Sequence, residues 1–337
     1  MKLILGIDTS CDDTSFGLIK VEKNEITILS NIRITNTTTY EKFGGIVPEV
    51  VARHHFENLS NALNEALKTE KKTYTLEEIH IIGVTAGPGL ISSLIVGYYF
   101  AYSLSRLYNK IFIPIHHMEG HLFAVNPVKD SLIIMLSGGH SCVYYMKNIF
   151  QYNLIIDTLD DAMGEVFDKV GRCLELSFPA GPKIEELAKK HTKEIKLKIP
   201  MEGKLQFSFS GLKTAFINLI EKLNKENNNI MNEEIKANVS WALQNVMART
   251  LCEKINIILK STELVIGNML FCGGVISNTY IRNYVQEQYK DHEINLIFPP
   301  KELCVDNGVM IARAAYYRYK YKKIELLEPF SRKKLCE

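Results

Sequence analysis

Leu3-Ile4-Leu5-Gly6-Ile7-Asp8-Thr9-Ser10-Cys11-Asp12-Asp13-Thr14-Ser15-Phe16-Gly17-Leu18-Ile19-Lys20-Val21 sets two apolar, strand-forming runs on either side of a small, hydroxyl-rich middle. That pattern predicts a β-hairpin with a polar tip. A near-copy recurs at Ser131 to Met146, where Leu132-Ile133-Ile134-Met135-Leu136 and Cys142-Val143-Tyr144-Tyr145 flank Ser137-Gly138-Gly139-His140-Ser141. Two such hairpins, each opening one half of the chain, point to an internal duplication. Either turn alone is an ordinary hairpin. Together they suggest a pair of similar lobes whose backbone N–H groups could cradle phosphate oxygens.

Between the hairpins, Phe56, Leu59, Leu63, Ala66 and Leu67 recur at helical spacing and are expected in the core of a helix from Glu49 to about Thr69. Ile81 to Thr85 predicts a strand that meets Ala86-Gly87-Pro88-Gly89 and a helix over about Leu90 to Tyr108. A further strand, Ile111 to Ile115, runs into His116-His117-Met118-Glu119-Gly120-His121, which holds three of the nine histidines. On a helix His117 and His121 project from one face, so they could share one metal ion or simply pack. Glu119 falls about 200° round that helix from His117, which argues against a water-activating carboxylate of the H-E-x-x-H kind.

In the second half Asp161, Glu165 and Asp168 are expected on one helix face, met by solvent, a cation or hydroxyl groups. Residues 189 to 206 are lysine-rich and weakly periodic, an expected surface insertion. Phe207-Ser208-Phe209-Ser210-Gly211-Leu212-Lys213-Thr214 leads into a helix, and a long helix over about Glu233 to Lys260 carries Trp241, Leu243, Val246, Met247 and Leu251 as core. A strand is expected over Leu264 to Phe271, followed by the glycine turn Cys272-Gly273-Gly274-Val275-Ile276-Ser277-Asn278, where α/β sheets place nucleotides. Asp306 stands near the start of a last helix, where a helix cap is the plain reading. That helix continues into Tyr316-Tyr317-Arg318-Tyr319-Lys320-Tyr321-Lys322-Lys323, either an RNA-contacting stripe or a surface helix with its tyrosines packed beneath.

The chain has 337 residues, 46% of them hydrophobic, enough for two packed lobes. With 40 Lys and Arg against 38 acids, net +2, it can meet a nucleic acid only through a local patch. Seven scattered cysteines form no C-x-x-C pair and suit a cytoplasmic protein with reduced thiols. The first strand begins at once, leaving no room for a targeting peptide, and no apolar run is long enough to predict a membrane span.

Taken in order, Gly6-Ile-Asp-Thr-Ser-Cys-Asp-Asp-Thr, Gly44-Gly-Ile-Val-Pro-Glu, Thr85-Ala-Gly-Pro-Gly-Leu, His116-His-Met-Glu-Gly-His, Leu136-Ser-Gly-Gly-His, Asp160-Asp-Ala-Met-Gly-Glu-Val-Phe-Asp-Lys, Phe207-Ser-Phe-Ser-Gly-Leu-Lys-Thr, Gly273-Gly-Val-Ile-Ser-Asn and Asp306-Asn-Gly resemble the TsaD family. These are the tRNA N6-adenosine threonylcarbamoyltransferases, formerly labelled glycoproteases. The resemblance implies an α/β, two-lobed fold of the actin-like, sugar-kinase and Hsp70 (ASKHA) type, with duplicated lobes and a nucleotide cleft between them. The expected division is 1–129 and 130–305, with 306–337 packing back on the first lobe.

The implied reaction moves a threonylcarbamoyl group from threonylcarbamoyl-AMP to N6 of the adenosine 3′ to the anticodon, in tRNAs reading ANN codons, with release of AMP. By the same resemblance His117, His121 and Asp306 are metal ligands, for Fe(2+) in the first place and otherwise Zn(2+) or Mg(2+). Leu136, Ser137, Gly138, Gly139 and His140 match the substrate loop, with His140 as the candidate general base. Asp168, Gly181, Glu185 and Asn278 match positions holding ribose and base.

Implied partners are an inactive paralogue of the TsaB kind, a small ATPase of the TsaE kind and a separate adenylate synthase. Asp8 and Asp13 depart from the family's usual Glu. Ala180 replaces a glycine, which requires that its φ stay negative, and Ile276-Ser277 replace smaller residues. The rival expectations are a metalloprotease and a non-catalytic nucleotide switch of the actin or Hsp70 kind.

Overall fold

The computed structural model describes residues 1–35, 47–228 and 230–335. The motif residues Gly44, Gly45 and Ile46 lie outside these. The chain divides into two units, Met1–Pro127 with Asp306–Glu337, and Val128–Val305. No helix among the described residues is long and apolar enough to cross a membrane.

In the first unit β1 (Lys2–Asp8), β2 (Asp13–Glu22) and β3 (Glu25–Thr35) form an antiparallel meander. To it β4 (Ile81–Gly87) and β5 (Ile111–His116) add in parallel, in the order β3-β2-β1-β4-β5. Helices α1 (Pro48–Leu67), α2 (Ile91–Leu107) and the short α3 (His117–Leu122) follow in sequence, and α9 (Gly308–Lys320) returns to this sheet.

The second unit repeats the plan. Its meander is β6 (Ser131–Leu136), β7 (Ser141–Asn148) and β8 (Gln151–Asp157), with β9 (Asn268–Cys272) and β10 (Asn295–Ile297) parallel beyond β6. Read from its antiparallel end the order is β8-β7-β6-β9-β10, the same path as in the first sheet. The duplication expected from the hairpins is present in the topology. Helices α4 (Met163–Cys173), α5 (Gly181–Ala188), α6 (Ser210–Glu226), α7 (Glu233–Ser261) and α8 (Thr279–Tyr289) complete it.

Each unit has its own core. Leu5, Ile7, Phe16, Leu59 and Val84 belong to the first. In the second, Leu132, Ile134 and Leu136, alternate residues of β6 and so on one face of its sheet, join Phe167, Trp241, Val246 and Phe271.

Two expectations fail here for identifiable reasons. Phe56 is 74% exposed. The inward position on α1 is taken by its neighbour His55, whose ring meets Thr14 Oγ1 at 2.7 Å and the Cys11 carbonyl at 2.9 Å. One residue is about 100° of helix, enough to turn Phe56 outward. The strand expected from Leu264 starts only at Asn268, because its partner β6 begins at Ser131, in register with Asn268.

Candidate functional site

The first unit brings α3 and the start of α9 together through three glycines. A Cβ on Gly6 would lie 2.1 Å from the Gly308 carbonyl oxygen, one on Gly17 2.2 Å from Val309 N, and one on Gly308 2.1 Å from Gly17 N. Only backbones without side chains pack this closely. The first turn of α9 therefore rests on β1 and β2, and Asp306, just before it, reaches the histidines of α3.

His117 Nε2 lies 3.5 Å and His121 Nε2 3.2 Å from Asp306 Oδ1, and one ligand atom from each of the three residues falls within 4.8 Å of the others. Asp306 is not the helix cap expected from its position; Asn307 is, its side chain accepting from Met310 N at 2.9 Å. The Asp306 carboxylate turns its Oδ1 to both imidazoles.

Asp8 Oδ1 stands 3.6 Å from His117 Nδ1 and also accepts from Thr85 Oγ1, while Asp8 Oδ2 accepts from Ser10 at 3.1 Å. A carboxylate on one ring nitrogen, with the other nitrogen turned to the shared point, is the arrangement that orients metal-binding histidines. Burial pushes the His117 imidazolium down, but Asp306 and then Asp8 outweigh it and raise the ring to about 9. His121 Nε2, which faces the shared point, is buried without a hydrogen bond of good geometry among the described residues, a costly arrangement for a polar atom that a bound cation there would relieve. The His₂Asp donor set thus fits a divalent metal.

The second unit carries the remaining expected positions. Ser137 N donates to the His140 carbonyl at 2.8 Å and His140 N to Ser137 Oγ at 3.1 Å, closing the turn. Gly164 N donates to the Ser137 carbonyl at 3.2 Å and Met163 N to Ser141 Oγ at 2.8 Å, tying that turn to the start of α4. Leu136 is buried in β6.

Asp168 accepts from Ala180 N at 2.9 Å, beside Gly181; Glu185 accepts from Thr279 N at 3.0 Å, beside Asn278. Asn278 caps α8 through Ile281 N at 3.0 Å. The four positions are linked through α4, α5 and α8. Ala180 has φ −83°, so the replaced glycine is accommodated without strain.

The TsaD family model, described as tRNA N6-adenosine threonylcarbamoyltransferase, matches residues 27–313. The chain belongs to the TsaD family. A tRNA N6-adenosine threonylcarbamoyltransferase of Rickettsia bellii is 41% identical over 327 residues, covering 95% of this chain and 94% of that one. One from Bacillus subtilis is 38% identical over 318 residues, covering 92% and 89%.

Among solved structures, T. kodakarensis HypF superposes with a TM-score of 0.61 at 13% identity, over 98% of this chain and 49% of that one. The Acidaminococcus fermentans (R)-2-hydroxyglutaryl-CoA dehydratase component A gives 0.54 at 16%, over 95% and 100%. These likenesses show the ASKHA-type fold alone.

In this TsaD member Glu119 is fully buried, with Arg318 Nε 2.8 Å from Oε2 and Arg318 Nη2 3.0 Å from Oε1. A carboxylate held by both oxygens cannot activate water, which removes the geometric basis of the protease reading. The sequence pattern places Arg318 in a basic-aromatic stripe and misses this role. The helix ends at Lys320, with Tyr316 and Tyr317 buried, so the packed reading of those tyrosines holds. The only local hint of Arg318's role is that a buried Glu119 needs a cation.

The acidic face expected on α4 also changes, since the helix starts at Met163, after Asp161. Lys169 and Lys213 approach Asp161 at 3.0 and 2.6 Å, and Lys169 approaches Glu165 at 2.6 Å. Asp160 instead holds the Phe207–Ser210 motif, accepting from Ser208 Oγ at 2.6 Å, Phe209 N at 2.7 Å, and Ser210 Oγ and N at 2.7 and 3.2 Å. Burial opposes ionisation, but these bonds prevail and lower its pKa to about 2.

Asp160→Ala should cost about 1 kcal/mol, discounted for exposure. Because the folded pKa is the lower one, this stability is present above the unfolded value of about 4 and is lost as pH falls toward 2. Denaturant melts of both proteins across that window check it; a difference that does not shrink on acidification contradicts it.

Proposed function

We infer that this transferase moves the threonylcarbamoyl group from threonylcarbamoyl-AMP to N6 of the adenosine 3′ to the anticodon in tRNAs reading ANN codons. The observation that carries the site assignment is the convergence of His117, His121 and Asp306, with the buried His121 Nε2 lacking a hydrogen bond among the described residues, in a member of this family. These three residues would hold the metal, Fe(2+) in the first place.

When bound, the metal supplies a Lewis acid and a template for the donor's phosphate and carbonyl oxygens. The chain's own residues do the rest. Asp8 sets a negative charge beside the His117 ring, on the side away from Asp306. The Ser137–His140 turn offers backbone groups to the donor, and neither Gly138 nor Gly139 is required by packing, since a Cβ on either meets nothing within 4 Å among the described residues. Asp168, Gly181, Glu185 and Asn278 hold ribose and base.

N6 attacks the carbamoyl carbon, the bond from that carbon to the phosphate oxygen breaks, and AMP leaves with the electron pair. His140 is the candidate to take the N6 proton. The inactive paralogue, the small ATPase and the adenylate synthase belong to the same proposal.

The test supplies the protein with those partners, threonine, bicarbonate, ATP and unmodified tRNA, then digests the tRNA for mass spectrometry. Threonylcarbamoyladenosine is expected; its absence beside a working control enzyme overturns the reading.

A further inference from the structure

Residues 189–204 carry six lysines against two glutamates, net +4, whereas the whole chain carries +2, so everything outside this segment sums to −2. The segment has almost no regular structure, yet it is fixed. Asn238 Oδ1 accepts from Thr192 N at 2.8 Å and Lys193 N at 3.0 Å, and Arg249 donates to the Leu197 carbonyl at 3.0 Å. Lys254 donates to the Met201 carbonyl at 2.7 Å, and Glu253 accepts from Gly203 N at 2.7 Å.

All four side chains come from α7, and they replace the ladder that an isolated extended chain lacks. Lys254 is 0% exposed, with Glu253 at 2.6 Å as its counter-ion. A buried lysine is costly unless paired in this way.

From 194 to 199 exposure alternates: Ile195 and Leu197 pack against the core while Lys196 and Lys198 face outward, about 6.6 Å apart at extended spacing. Lys193, Lys198 and Lys204 form no ion pair among the described residues. Beside this rail lies a cavity of about 330 Å³ lined by Ile199, Arg249, Glu253, Asn256, Lys260 and Gln288, which adds two more cations.

We propose that this rigid lysine rail, with the Arg249 and Lys260 cavity beside it, is a docking surface for the sugar-phosphate backbone of the tRNA substrate. It rests on the transferase reading above. A chain that is nearly neutral overall meets a polyanion through a local patch, and a rail held in one shape loses little freedom when it does so.

The test uses the full complex and labelled unmodified tRNA, measuring affinity against salt for the wild type and for Lys193→Gln/Lys196→Gln/Lys198→Gln. The triple variant should bind about tenfold or more weakly, with a salt slope flatter by about 2. Its melting temperature and metal content should be unchanged. A control, Lys68→Gln/Lys71→Gln/Lys222→Gln, removes equal charge elsewhere and should bind as wild type.

Unchanged affinity and slope in the triple variant overturn the proposal, as does an equal loss in the control. If the wild type itself makes no threonylcarbamoyladenosine, the transferase reading fails instead, and the two failures are told apart.

Discussion

Asp306→Asn should empty the metal site and leave the fold standing. Asp306 caps no helix, since Asn307 does, and its side chain is 27% exposed. Replacing it therefore removes no core packing, and the melting temperature should move by only a few degrees. Its Oδ1 is nonetheless the point toward which both Nε2 atoms turn, at 3.5 and 3.2 Å. Losing that charge should weaken metal binding by more than the roughly 10–100-fold typical of a partner one shell further out.

Metal analysis of protein purified without chelators, beside a thermal melt and the tRNA product assay, reads the three effects separately. Loss of metal and product with a near-native melt is expected. A variant retaining full metal content would take Asp306 out of the ligand set.

The two sheets are legible in the sequence because each strand is an apolar run bounded by polar turns, and the duplicated hairpin carries the topology with it. The site is legible only in part. The spacing of His117 and His121 is local, so helical geometry alone puts them on one face. Asp306 is 185 residues beyond His121, and no periodicity links them; the family resemblance suggests the pairing. Its physical cause is the close contact of Gly6 and Gly17 with Gly308, in which each glycine looks ordinary in its own segment. The expected burial of Phe56 and the expected early start of β9 fail for the converse reason. Local pattern predicts burial or pairing there, and the partner surface does not extend that far.

Arg318→Met should be the most destabilising single change near the site. Arg318 binds Glu119 through two nitrogens, and also donates to Glu325 Oε1 and the Lys323 carbonyl, each at 2.8 Å. Burial disfavours the guanidinium's charge, but Glu119 outweighs burial and raises its pKa. Removing the guanidinium takes a two-nitrogen cation away from the fully buried Glu119 carboxylate, a loss of about 3–5 kcal/mol.

The double variant Glu119→Leu/Arg318→Met removes both charges and should recover much of that loss, because an apolar pair of similar volume has no desolvation cost to offset. Denaturant unfolding of the wild type, both single variants and the double closes the cycle. Near-additive losses would show that the pair does not act as a unit. Since Glu119 lies on α3 between the two histidines and Arg318 on α9 beyond Asp306, the double variant should also bind metal more weakly than its recovered stability suggests.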